Sequence, residues 1–296
     1  MTPDPDDRLA GPLLAFAAQM LVGSSFVAME SLADFPFALG QAGRYAVAVV
    51  LIALVARGRV PRPRPRELAV LAGVAATGLV LFNLLSLEGV ARSDPASIGV
   101  VVGCVPIVLA LLAPLQRGDR PRAGLVAAGV VVAAGAALVQ LSGAHPTWAA
   151  FAMALGALAC EAAFTLLPVP VLPRLGALGV SLWTCGLGTA MFAAWAIADH
   201  ATPRLPDRPE AVALGWLTVA VTVTAFICWY GAVRRIGADR AGLLCGVVPI
   251  SAALTGWAFG SRGLSPAQLV GALVVAVGVT IGMAVRPRTP HPPAAQ

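Results

Sequence analysis

Long apolar runs, separated by short polar or proline-containing segments, dominate the chain. A membrane-spanning helix needs about 20 mostly apolar residues. Ten runs of this kind predict helices at 11–30, 36–56, 67–88, 95–116, 123–142, 147–167, 175–198, 211–232, 238–259 and 265–285. The segment 167–176 holds three prolines and is predicted to connect the sixth and seventh helices. The pattern predicts an all-α integral membrane protein with ten transmembrane helices.

One apolar stretch occurs twice in the chain. Residues 103–107 read GCVPI and residues 246–250 read GVVPI, an offset of 143 residues. At this offset 89–111 match 232–254 at nine of 23 positions, and the VVAxG of 131–135 recurs at 274–278. The chain is therefore predicted to hold two copies of one five-helix unit. The predicted boundaries are 1–143 and 144–287, with a disordered cytoplasmic tail at 288–296.

Composition and charge agree with a bilayer. The hydrophobic fraction is 58%, charged residues make up 11%, and mean hydropathy is +0.85, whereas a soluble domain is about one quarter charged. Every basic residue is an arginine, and the arginines lie between apolar runs rather than in a nucleic-acid-binding patch. With the N-terminus inside, fifteen arginines fall in cytoplasmic segments and four in outer loops. This bias predicts a multi-pass protein of the cell (inner) membrane with both termini cytoplasmic and no nucleic-acid partner.

An odd number of helices per copy makes the two copies cross the bilayer in opposite senses. The loop that follows the first proline helix, RGDRPR at 117–122, is predicted to face the cytoplasm. Its counterpart, SRGLSP at 261–266, faces outward and has lost two of the three arginines. Two inverted repeats around a site near the midplane are the recurrent construction of secondary transporters.

Several stretches resemble one known family. Gly23-Ser24-Ser25-Phe26 is similar to its opening W-G-S-x-F motif, and Pro36 with Arg44-Tyr45 resembles its P-x(7)-R-[FY] signature. Residues 94–107, 118–120 and 135 resemble the passage from its fourth helix into its fifth. On these residues the chain resembles the drug/metabolite transporter superfamily, EamA type. The resemblance implies two five-helix bundles around a central cavity, no cofactor, and export of a small metabolite or amino acid.

Two charged side chains, Arg44 and Glu161, fall deep inside predicted helices rather than near their ends, and charge there is costly and therefore rarely decorative. Arg44, with Gln41 one turn earlier on the same face, is a candidate for binding a substrate carboxylate. The alternative is a structural arginine bonded to carbonyls or reaching outward. Glu161, with Thr165 one turn later, is a candidate for proton exchange, because burial favours the neutral form of a carboxyl group. Its alternative is a protonated acid bonded to another helix, and a pairing of Arg44 with Glu161 suits both readings.

Further polar and hinge candidates complete the predicted pathway. Asn83 either contacts substrate or bridges helices. Trp229 and Tyr230 either line the pathway or anchor the protein at the membrane interface. Glycine precedes proline by three residues in both proline helices, and this spacing predicts either hinges or static kinks. The hinge candidates are Gly103, Pro106, Gly246 and Pro249.

Other chemistry is not supported by the sequence. The five cysteines lack the spacing of metal ligands, and the three histidines lie in loops or the tail. Motifs of hydrolases, metalloproteases and phosphate-binding loops are absent from the sequence, so neither an enzyme nor a metal site is predicted. The predicted function is export by alternating access, coupled either to protons or to substrate exchange with no ion, with a small-molecule substrate and the lipid bilayer as partners. A lipid-linked intermediate flippase or a non-transporting membrane scaffold is the alternative, and the formation of a homodimer stays open.

Overall fold

A computed structural model of the chain describes residues 5–92, 95–140, 147–259 and 265–285. Ten helices follow one another in this part of the chain: α1 Pro5–Glu30, α2 Phe37–Ala56, α3 at 65–92, α4 at 95–116, α5 Ala123–Val139, α6 Trp148–Leu166, α7 Leu172–Ala198, α8 Arg208–Ile236, α9 Ala238–Ala258 and α10 Pro266–Ala284. Nine are long and apolar enough to cross a membrane, and α5 is a shorter apolar helix. The predicted all-α membrane fold is confirmed.

The helix boundaries follow local chemistry. Proline occupies the first position of α3, α4 and α10, where its missing N–H costs no intrahelical bond. Thr147, Asp207 and Ser265 accept backbone N–H bonds at the starts of α6, α8 and α10. Glycine takes a left-handed conformation in the tight turns after α2 and α4, at Gly58 (φ 73°) and Gly118 (φ 78°).

The two five-helix halves exchange equivalent contacts. Helix α1 packs on α8 and α9, the third and fourth helices of the other half, and α6 packs on α3 and α4 in the same way. Helix α2 packs on its own equivalent α7, and α5 packs on its equivalent α10. Every one of these contacts is reproduced when the halves are interchanged, so the fold consists of two interlocked repeats of opposite orientation around a pseudo-two-fold axis.

The duplicated VVAxG motif forms the contact between α5 and α10. A Cβ on Gly135 would lie 2.8 Å from Val275 Cγ2, and a Cβ on Gly278 would lie 2.8 Å from Val132 Cγ2. The glycine of each copy therefore lies against the valine of the other copy. The two copies are offset by 143 residues in the sequence. Such close approach of two helix backbones is the usual consequence of small residues in membrane helices.

Helices α3 and α8 each contain a π-helical segment at the same place in the repeat. The segments are Ala75–Leu81 and Leu217–Thr224. In both, the backbone bonds run from residue i to residue i+5, which widens the helix locally, and such segments occur frequently at functional sites. Their apolar sequences resemble ordinary helix, so the hydrophobic pattern did not predict them.

The proline helices are interrupted rather than bent. Helix α4 breaks between Pro95–Val102 and Val105–Gln116, and Pro106 occupies the second position of the segment after the break. Helix α9 passes through a 3-10 segment, Gly242–Gly246, before Val247–Ala258. Each interruption lies within one apolar span, Gly99–Gln116 or Ala238–Ala258, and a proline close after a break removes little hydrogen bonding. Both breaks lie against α5, where a Cβ on Gly246 would meet Val132 Cγ1 at 2.4 Å.

Smaller differences concern the ends of elements. The predicted connection 167–176 is shorter, because α7 begins at Leu172, although Gly176 (φ 68°, ψ 173°) interrupts the first turns. Helix α5 ends at Val139, three residues before the predicted end. The predicted tail at 288–296 lies outside the described residues. The repeat boundaries at 143 and 287 remain a prediction.

Candidate functional site

Arg44 is held inside the bundle by two hydrogen bonds, and its remaining N–H donors have no acceptor among the described residues. Its Nε donates to Thr222 Oγ1 (2.6 Å) and one Nη donates to Gln41 Oε1 (3.3 Å). The guanidinium carbon lies 5.2 Å from the centroid of the Tyr45 ring, which is buried. A guanidinium carries five N–H donors, so three of them have no acceptor among the described residues. The side chain is only partly buried, which leaves these donors open to a ligand.

The π-helical segment of α8 creates the partner of Arg44. Thr222 is fully buried, and its hydroxyl donates to the carbonyl of Leu217 (2.9 Å), five residues earlier. That bond directs the oxygen lone pairs of Thr222 toward α2, where Arg44 Nε donates to them. The relay from arginine through hydroxyl to carbonyl fixes the orientation of the guanidinium plane.

Glu161 is the acidic group of the site. Its side chain is partly accessible, and it makes no hydrogen bond or ion pair with any described residue. The carboxylate lies within electrostatic reach of the Tyr230 hydroxyl on α8 and the Cys245 thiol on α9. Arg44 bonds to Thr222 and Gln41 instead of Glu161. The two charged groups are therefore not paired with each other. Among the described residues, Arg44 keeps N–H donors without an acceptor, and the Glu161 carboxyl group keeps its oxygens without a donor.

A buried network connects the surroundings of the two charges. Cys185 on α7 is fully buried and lies within electrostatic reach of both Arg44 and Tyr230. On the other side, Gln19 Nε2 on α1 donates to Cys245 Sγ (3.3 Å). Six helices thus contribute to one group of side chains, which we call the central cluster: Gln19, Arg44, Glu161, Cys185, Tyr230 and Cys245.

The central cluster breaks the symmetry of its scaffold. The repeat equivalent of Arg44 is Leu187, and the equivalent of Glu161 is Ala18. Each half therefore supplies one charge of opposite sign to a framework that is otherwise duplicated.

Aromatic side chains form an apolar wall beside Glu161. Phe164 lies 5.2 Å from Phe226 and 5.3 Å from Tyr230 between ring centroids. The Tyr230 hydroxyl donates to the carbonyl of Phe164 (3.2 Å), which joins α8 to α6. Trp229 and Tyr230 are 4% and 0% exposed, so the interpretation of these residues as interfacial anchors was wrong. The nearby arginines suggested an interface, but these two side chains point into the bundle.

Four buried polar atoms lack a protein partner among the described residues: Thr165 Oγ1, Ser181 Oγ, Thr184 Oγ1 and Trp229 Nε1. Thr184 precedes Cys185 on α7 and is the repeat equivalent of Gln41, while Trp229 precedes Tyr230 on α8. A buried hydroxyl or indole N–H without a partner is rare and calls for water or ligand. The interior around α6, α7 and α8 therefore contains hydrogen-bonding groups that no described protein group satisfies.

Asn83 does not join the cluster. Its Nδ2 donates to the carbonyl of Leu79 (2.6 Å) within the π-helical part of α3. In a regular helix this carbonyl would accept a backbone N–H. The Asn83 amide therefore bonds within its own helix and not to another helix. The predicted bridge between helices is not formed by this hydrogen bond.

The hinge candidates lie next to the cluster without belonging to it. Gly246 follows Cys245 directly, and Pro249 is the third residue of the regular part of α9, which begins at Val247. Gly103 and Pro106 occupy the corresponding break in α4, where a Cβ on Gly103 would meet Ala136 Cβ at 3.5 Å. The structure places all four at helix interruptions, and their movement remains a prediction.

Sequence reasoning missed Thr222, Cys185 and Cys245. The two cysteines were interpreted only as inert buried thiols, and nothing in their spacing suggests otherwise. Thr222 belongs to the run TVAVTVT at 218–224, which places three threonines within one helix and was a usable signal. Among the described residues no group of three or more histidine, cysteine, aspartate or glutamate side chains could hold a metal ion.

Ion pairs close the two ends of the bundle. Glu67 in the first turn of α3 accepts from Arg174 Nε on α7 (2.5 Å), which joins the halves. Glu210, the repeat equivalent of Glu67, accepts from Arg204 Nη2 (2.5 Å), and the same nitrogen of Arg204 donates to the carbonyl of Asp34 (3.2 Å). Since α3 and α8 run in opposite directions, the equivalent glutamates lie at opposite ends, whereas the positions that match Arg174 and Arg204 are Ser31 and Pro61.

Comparison with known proteins agrees with this architecture. The model of the EamA-like transporter family matches residues 9–141 and again residues 148–283. A solved crystal structure shares the fold, with a TM-score of 0.79 and 19% identity, over 92% of this chain and 95% of the other.

Two curated relatives are transporters by name. A probable terminal-alkyne amino-acid exporter of Streptantibioticus cattleyicolor is 26% identical over 253 residues, which cover 80% of this chain and 81% of the relative. The uncharacterized transporter YetK of Bacillus subtilis is 29% identical over 99 residues, covering 32% and 29%. With the family model matched in both halves, this chain belongs to the EamA-like transporter family and is a multi-pass membrane transporter of small metabolites.

Proposed function

We propose that this protein exports a small amphipathic metabolite that carries a carboxylate, an apolar amino acid above all, in exchange for protons. The observation that carries the proposal is the pair of separate, partly accessible charges, Arg44 and Glu161, in the otherwise apolar bundle. Ionisable groups within membrane segments mark substrate and ion pathways by default. Because the two groups are not bonded to each other, both are free to act on a solute.

Arg44 is the binding residue for the carboxylate. Three unengaged N–H donors on a guanidinium held by Thr222 and Gln41 suit a bidentate contact with a planar anion. The fixed orientation lowers the entropy that is lost on binding. The rings of Phe164, Phe226 and Tyr230 are buried in this conformation, and in the proposed cycle they provide apolar contact for the rest of the solute once the bundle opens.

Glu161 is the proton carrier. A carboxyl group enclosed by protein favours its neutral form and ionises when water reaches it. With no arginine or hydrogen-bond donor bound to it among the described residues, Glu161 is not locked in the charged form. Exposure to one side of the membrane and then to the other would load and release a proton in each cycle.

Alternating access follows from the inverted repeats. Glu67 and Glu210 are repeat equivalents, so in this proposal the ion pairs Glu67–Arg174 and Arg204–Glu210 lie at opposite ends and open in turn. The breaks at Pro106 and Pro249 allow the outer and inner parts of α4 and α9 to move separately. The amino-acid exporter of Streptantibioticus cattleyicolor, a relative over most of both chains, supports an amino acid as substrate.

Thermal unfolding of the purified protein tests the substrate class. Norvaline, a straight-chain apolar amino acid, should raise the Tm by roughly 5 °C when its concentration is about 100 times its Kd. Norvalinamide has the same side chain and ammonium group but lacks the carboxylate, so it should leave the Tm within about 1 °C of the unliganded value. Equal stabilisation by the two compounds would contradict the role assigned to the carboxylate.

A further inference from the structure

Two cavities open at opposite ends of the seam between α2 and α7. The first has a volume of about 640 Å³ and is lined by Leu54, Val55, Ala56, Arg57, Arg59 and Leu178. The second has a volume of about 440 Å³ and includes Ile197, His200 and Thr202 in its lining. Neither contains a residue of the central cluster, and both volumes fall in the range of roughly 300–1,000 Å³ common for small-molecule sites.

The two cavities are equivalent under the repeat. Arg57 and His200 are 143 residues apart, and they are the two non-glycine residues with positive φ among the described residues, both at 48°. Each donates its backbone N–H to the carbonyl three residues earlier at 3.2 Å, Leu54 in one case and Ile197 in the other. The same helix ending therefore forms the floor of both cavities.

The cavities differ in charge. The first has two arginines, Arg57 and Arg59, and at the matching positions the second has His200 and Thr202. Both arginines are exposed, and neither makes a hydrogen bond or ion pair through its side chain within the described part of the chain. Two guanidinium groups at the end of a membrane helix, without an acidic neighbour bonded to them, form a strongly anion-selective site.

The chain holds the first cavity in shape from the other side. Trp183 Nε1 on α7 donates to the carbonyl of Pro61 (3.3 Å), and Arg174 Nη2 donates to the carbonyl of Arg62 (3.0 Å). These bonds fasten the segment that follows Arg59 onto α7. The chain that follows Arg59 is therefore tied to α7, the helix that contributes Leu178 to the cavity.

We propose that the first cavity binds the phosphate headgroup of an anionic phospholipid. Arg57 and Arg59 contact the phosphate, and one acyl chain lies along Leu54 and Val55, whose side chains are 67% and 59% exposed on the outer face of α2. A free anion would have no use for these apolar walls, whereas a lipid uses both parts of the site. The second cavity, which also has an apolar lining but no arginine, is a natural comparison. This proposal is independent of the transported substrate.

Native mass spectrometry with titrated lipid tests the site. The wild-type protein in detergent should bind the first phosphatidylglycerol roughly 30-fold more tightly than phosphatidylcholine, from about five- to sixfold for each of the two arginines. The double variant R57Q/R59Q should lose this preference. The control R66Q/R120Q removes two exposed arginines elsewhere in loops and helix ends, and it should keep the preference.

Several outcomes decide the matter. Unchanged preference in R57Q/R59Q, or equal loss in R66Q/R120Q, would overturn the proposal, the latter because diffuse charge would then explain the binding. Displacement of the lipid by millimolar glycerol phosphate would also overturn it, since the acyl contact would contribute nothing. As a gain of function that does not depend on a damaged variant, H200R/T202R should bind a second phosphatidylglycerol with comparable affinity. Failure of H200R/T202R to do so, with its Tm retained, would count against the geometry.

Discussion

Replacement of Arg44 with glutamine should raise the KM for norvaline export by at least about tenfold. A hydrogen bond between charged groups contributes about 1.5–3 kcal/mol, and each 1.4 kcal/mol corresponds to about a factor of ten in affinity. The lost interaction is with the carboxylate, so the KM for norvalinamide should change little. Initial rates of flux in proteoliposomes over a range of substrate concentrations measure both constants.

Two further variants test whether Arg44 binds the carboxylate. Arg44→Lys keeps the charge but not the fork, and it should recover part of the loss. Arg92→Gln removes an exposed arginine that pairs with Glu88 at the end of α3 and should leave both KM values unchanged. If Arg44→Gln raised the KM for the amide as much as for the amino acid, Arg44 would support the fold rather than bind the carboxylate.

Replacement of Glu161 with glutamine should abolish acceleration of export by a proton gradient. The amide has nearly the same size as the carboxyl group but does not exchange a proton at the pH of the assay. Exchange of labelled for unlabelled norvaline without a gradient should persist, because that half-cycle needs no net movement of protons. Export rates with and without an imposed pH difference, together with exchange rates, separate the two activities.

Glu88 provides the matched comparison for Glu161. It is a glutamate on a membrane helix, 45% exposed and paired with Arg92 outside the central cluster. Glu88→Gln should therefore retain full acceleration by the gradient. Gradient-driven export that survives in Glu161→Gln would assign proton coupling to another group or remove it from the mechanism.

Much of the fold could be predicted because bilayer thickness imposes one length on every span. Apolar runs of about 20 residues are visible without knowledge of tertiary contacts. The duplicated VVAxG motif indicated a repeat. In the structure, Gly135 and Gly278 each lie against the valine of the opposite motif across the pseudo-two-fold axis. What the sequence did not predict was the local departure from regular helix. The π-helical segments and the break before Pro106 depend on packing partners that are remote in sequence.

The candidate site was predicted unevenly for the same reason. Arg44 and Glu161 are conspicuous because a charge within an apolar run is costly, whatever its neighbours. Thr222 becomes a partner of Arg44 only through the i to i−5 bond of a π-helical segment, and a rotation of α8 by one residue would turn it away. Tyr230 illustrates the opposite error, since the arginines that follow it suggested an interface while the structure buries it against Phe164.

Net export from proteoliposomes that contain the wild-type protein tests the central claim most directly. Vesicles loaded with labelled norvaline should lose it at a rate that saturates with concentration, and an opposing proton gradient across the membrane should accelerate the loss several-fold. Loss no faster than from protein-free vesicles, with or without the gradient, would contradict the account.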